Sequence, residues 1–103
     1  MSTALDYPAI SFPEGYDARR EYETPLRGYL SDVIVQLEDG SRYSMYFIDP
    51  VRLGQELTDS TQAGRPYLAE PNLIVLPEVT TDSIRKAVEG LVRDRFFGHL
   101  KPI

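Results

Sequence analysis

Between Val33 and Pro50 the chain reads VIVQLEDGSRYSMYFIDP: two apolar, β-branched runs meet at Glu-Asp-Gly-Ser and close on Asp-Pro. Residues of this kind predict strands over Tyr29–Leu37 and Arg42–Ile48, with a hairpin turn between them. A two-residue loop at Asp39-Gly40 would set Leu37 against Arg42 and Val35 against Ser44, mixing apolar and polar side chains on one surface. A three-residue loop removes the conflict. Glu38 and Asp39 then form a type I turn, Gly40 supplies a left-handed residue, Val35 meets Tyr43, and Val33 meets Met45. Val33, Val35, Leu37, Tyr43, Met45 and Phe47 share one face, and strict alternation sends Leu30, Ile34, Tyr46 and Ile48 to the other.

The same register assigns the three acids of this stretch. Glu38 and Asp39 are turn residues, and Asp49, followed by Pro50, is an N-cap with proline at the first helical position. A strand of eight residues spans about 25 Å, so Asp49 does not converge with the pair at the hairpin tip.

Working outward, Leu53 and Leu57 predict a short helix over Pro50–Asp59, weakened by Gly54, and the polar run DSTQAGRP at 59–66 predicts a loop. EPNLIVLPE at 70–78 predicts a strand at its apolar centre, covered on both sides and running parallel to the second strand of the hairpin. Glu70 and Glu78 are not an acid–base pair, because an extended chain holds them about 26 Å apart. Ile84, Ala87, Val88, Leu91, Val92 and Phe96 form one stripe of a helix from Thr81 to about Phe97. Thr80 or Thr81 caps its start, Gly98 ends it, and Asp82–Lys86 and Glu89–Arg93 pair on the wet side.

Before the hairpin, residues 1–25 hold Pro8, Pro13 and Pro25 among four aromatics and show neither helical nor strand period, which predicts an extended or irregular arm. Residues 26–103 then make a single α+β two-layer domain: a three-stranded sheet with two helices on one face, in the order ββαβα. The second face of the sheet carries too much apolar surface to stay bare. The arm or a second protein covers it, and another copy of the chain is one such protein. Tyr7, Phe12, Tyr16, Tyr22, Ile34 and Tyr46 are therefore the candidate partner-binding residues.

Composition narrows the activities. The 103 residues carry a net charge of −5, with thirteen acids against six bases over 1–79 and three against five over 80–103. An acidic body attracts a basic partner and repels nucleic acid. Cysteine is absent, so there is neither a disulfide nor a thiolate site. No secretory leader and no membrane-spanning run is visible, which points to a soluble cytoplasmic protein. No phosphate-binding or nucleophile-elbow motif occurs, the one histidine, His99, stands alone, and neither a metal nor a cofactor is expected. The expectation is a non-catalytic protein-interaction module, an accessory or immunity-like inhibitor protein. The alternatives are a small enzyme with an unrecognised pocket and a single-strand nucleic-acid binder that uses Arg85, Lys86, Arg93, Arg95 and Lys101 beside Phe96 and Phe97.

Overall fold

The computed structural model describes residues 7–103. Its elements are β1 (Ala9–Ser11), α1 (Ala18–Arg27), β2 (Tyr29–Gln36), β3 (Arg42–Ile48), α2 (Pro50–Gln62), β4 (Leu73–Val75), α3 (Thr81–Arg93) and a 3-10 turn at Phe96–His99. The strands form one sheet in the order β1-β2-β3-β4. The first three are antiparallel, and β4 runs parallel to β3.

The hairpin has the expected register. Val33 pairs with Met45 and Val35 with Tyr43, and Leu37 N–H donates to the Ser41 carbonyl across a three-residue loop in which Gly40 has φ 88°. Toward the other end the alternation breaks. Leu30 pairs with Phe47 and Val33 with Met45, so β2 spends three residues where β3 spends two. The extra residue is a bulge at Ser31-Asp32, where Asp32 takes φ 59°. Leu30 is thereby turned onto the core face and buried, which corrects its expected place on the other side.

That core face is closed by α3. Ile84 and Val88 are fully buried against Val33, Val35, Met45 and Phe47, joined by Leu76 and Val79 from the connection out of β4. The helix starts on a reciprocal cap: Ser83 N–H donates to Thr80 Oγ1 at 3.0 Å, and Thr80 N–H donates to Ser83 Oγ at 2.9 Å. It ends earlier than the stripe predicts. Arg95 turns left-handed with φ 58°, so Phe97 enters the core against Tyr43, with ring centroids 5.0 Å apart, while Phe96 is only half-buried.

The second helix lies against the opposite face, where two helices on one side were expected. Arg52 of α2 stands over the Tyr29 ring at 4.7 Å, and Tyr46 Oη lies 3.5 Å from Glu56 Oε1. Tyr46 and Ile48 alternate with the buried Met45 and Phe47, and Ile48 is itself fully buried there. Asp49 caps α2 through Arg52 N–H at 2.7 Å, with Pro50 at the first position.

Of the segment 1–25 predicted to be an irregular arm, residues 1–6 lie outside the described residues, and the rest forms a strand and a helix. Ile10 pairs with Val35 as β1 joins the sheet, and α1 follows, capped by Asp17 accepting from Arg20 N–H at 2.9 Å. Its pairs Arg19–Glu23 and Glu23–Arg27 are 2.9 and 3.4 Å long, and Gly28, at φ 81°, ends it by donating to the Thr24 carbonyl. β4 also departs from expectation. Both of its sides were expected to be covered, by neighbouring strands or by overlying chain, whereas it is the outer strand of the sheet and Val75 is 48% exposed.

Candidate interaction face

α2 meets the second face of the sheet at Tyr29 and Tyr46. Ile34 lies opposite Ser44 and Ser11, and both Ile34 and Tyr46 are half-buried. Here an open groove of about 530 Å³ runs across β3 from the β2 bulge at Ser31-Asp32 to Glu70 and Asn72 before β4, with Lys101 and Ile103 at its margin. Among the described residues, two of the three non-glycine residues with positive φ, Asp32 and Asn72, line it. Asn and Asp tolerate that conformation better than most residues, which is a local reason for their presence.

Asn72 ties the groove together. Its carbonyl accepts from Tyr46 N–H at 3.1 Å, and its side-chain amide donates to the Ser44 carbonyl at 2.9 Å. Beside it, burial and the neighbouring Glu56 carboxylate hold the Tyr46 phenol above the ordinary tyrosine range. Tyr46 is therefore a neutral hydroxyl at physiological pH. Glu56 is itself occupied by Arg52 Nε at 3.1 Å, and that hydrogen bond raises the guanidinium above its usual value.

The candidate residues do not share one surface. Phe12 and Tyr16 stack at 4.8 Å against the core side, where Tyr16 Oη lies 2.9 Å from Thr81 Oγ1 and Arg85 stands 5.8 Å over the Phe12 ring. Tyr7 is 39% exposed beside Leu37 and Val92, and Tyr22 is 75% exposed on α1. Only Ile34 and Tyr46 lie on the groove face. Alternation placed those two, whereas Asp32, Glu70 and Asn72 reach the site through a bulge and a chain crossing that carry no sequence period.

The remaining acids stay local. Asp39 accepts from the Ser41 hydroxyl and N–H, bonds that pull its carboxyl below the ordinary value and tie it to the turn. Among the described residues no cluster of three or more His, Asp or Glu side chains could hold a metal ion, and no helix is long and apolar enough to cross a membrane. Phe97, a stacking candidate on the basic helix, is consumed by the core. Comparison with protein-family models, curated proteins and solved structures finds no match to this chain.

Proposed function

We propose that the chain is a non-catalytic protein-interaction module, an accessory or inhibitor-type protein whose acidic body docks a basic partner on the groove face beside α2. The observation that carries this reading is a groove lined by Tyr46, Asp32 and Glu70, on the sheet face that also holds the half-buried Ile34. A lining that joins the Tyr46 ring, Pro71 and Ile103 to the acids Asp32 and Glu70 suits a partner that presents an aliphatic stem and a positive head, since lysine and arginine carry both. The excess of seven acids over residues 1–79 draws such a partner in from a distance.

The test is affinity capture from native extract with the wild-type chain and with Ile34→Arg/Glu70→Lys, each checked for an unchanged melting temperature. Loss of one specific basic protein from the variant, with Tyr22→Ala as a control that keeps it, supports the reading. Capture indifferent to the double change ends it.

A further inference from the structure

The edge of β3 holds an unfinished ladder. Tyr43 and Met45 pair with β2, so the even-numbered residues of β3 direct their N–H and C=O groups to the opposite edge. β4 satisfies only the far part of that edge, through Tyr46 N–H to Asn72 and Leu76 N–H to the Ile48 carbonyl. Toward Arg42 the strand is lost. The Ser44 carbonyl takes the Asn72 side chain, and the Arg42 carbonyl takes Ile103 N–H at 2.8 Å. The N–H groups of Arg42 and Ser44 meet no backbone partner among the described residues.

We infer that this edge, Arg42 to Ser44, is where an extended segment of the basic partner adds to the sheet, displacing the chain's own Lys101–Ile103. The inference rests on the proposed function for the partner's charge. Its geometry is independent of that reading. Segment 101–103 already lies at the groove margin in contact with the edge, which demonstrates room for backbone at this position. It is a poor strand, because Pro102 has no N–H, and Ile103 is left 69% exposed. A regular partner strand would satisfy the two open N–H groups, and alternate side chains of that strand would face the groove between Asp32 and Glu70.

The probe is a labelled, end-blocked hexapeptide alternating Arg and Val, read by fluorescence anisotropy, with the same peptide N-methylated at alternate residues as control. Removing residues 101–103 should tighten binding of the plain peptide about fivefold by removing the internal competitor, and Ile103→Pro should do so in part. Asp32→Asn with Glu70→Gln should weaken it about fivefold. On binding, the Arg42 and Ser44 amides should gain protection from hydrogen exchange.

An affinity that is unchanged or weaker after truncation, at unchanged melting temperature, overturns the inference. So does dimerisation of the truncated chain through this edge, which would make a second copy the occupant. Equal binding of the N-methylated peptide removes strand addition while leaving a basic partner in place. Failure of both peptides to bind removes both readings.

Discussion

Leu30 lies opposite Phe47 on the same face of the sheet that Val33 shares with Met45, although two residues separate Leu30 from Val33 and only one separates Phe47 from Met45. One extra residue thus moves a leucine from the groove face to the core. It also places Asp32 in a left-handed conformation at the rim of the groove.

The bulge should respond to backbone chemistry rather than to charge. Asp32→Gly is expected to leave stability within a few tenths of a kcal/mol, whereas Asp32→Val should lower it by about 1–2 kcal/mol, because a β-branched residue resists positive φ. Urea denaturation distinguishes them. Equal losses would mean that the carboxylate, not the conformation, matters.

Gly28 and Gly40 both have positive φ, but a Cβ at Gly40 meets nothing within 4 Å, while one at Gly28 would sit 2.7 Å from Asp49 Oδ2. Gly40→Ala should therefore cost about 1 kcal/mol from conformation alone. Gly28→Ala should cost clearly more, since it also disturbs the Asp49 cap of α2. Thermal melts that reverse this order would refute the close approach of Gly28 to the Asp49 cap.

Ile84→Ala should destabilise by about 2–5 kcal/mol and Arg93→Ala by a few tenths, one being fully buried under the sheet and the other in water. Chemical denaturation checks both. Similar midpoints would contradict the placement of α3.

Deleting residues 1–22 removes β1, the Phe12–Tyr16 stack and the first half of α1, so a large fall in melting temperature is expected. An unchanged melt would show that this segment adds nothing to the core.

Because the Tyr46 phenol is held neutral by burial and by Glu56, its folded pKa lies above the ordinary 10.0. The stability it contributes is complete below that ordinary value and is lost as pH rises through the folded value. Melting temperatures above about pH 10 should therefore fall less steeply in Tyr46→Phe than in wild type. Ultraviolet titration of tyrosinate should show a phenol that ionises above the ordinary value missing from the variant.

The local features of this protein were legible from its residues alone. The hairpin register follows from two-residue alternation and a glycine that can adopt positive φ. The starts of α2 and α3 follow from Asp49-Pro50 and Thr80, whose side chains complete their bonds within three residues. Of the groove face, Ile34 and Tyr46 were visible because parity along the regular stretch that follows the bulge, and along β3, assigns a side.

Other features depend on contacts between distant parts of the chain. α1 buries little apolar surface, with Tyr22 and Leu26 exposed, and contains Pro25, and its short ion pairs support it only in company with Thr24 buried beneath it. β1 is three residues long and exists as a strand because β2 offers it an open edge. The bulge at Asp32, the passage of α2 to the second face and the return of Lys101–Ile103 to β3 have no periodic signature. Each satisfies hydrogen bonds or buries side chains supplied by another segment. Tertiary structure therefore decided which acids line the groove, because Asp32 and Glu70, 38 positions apart in the chain, become its two sides only when β3 lies between them.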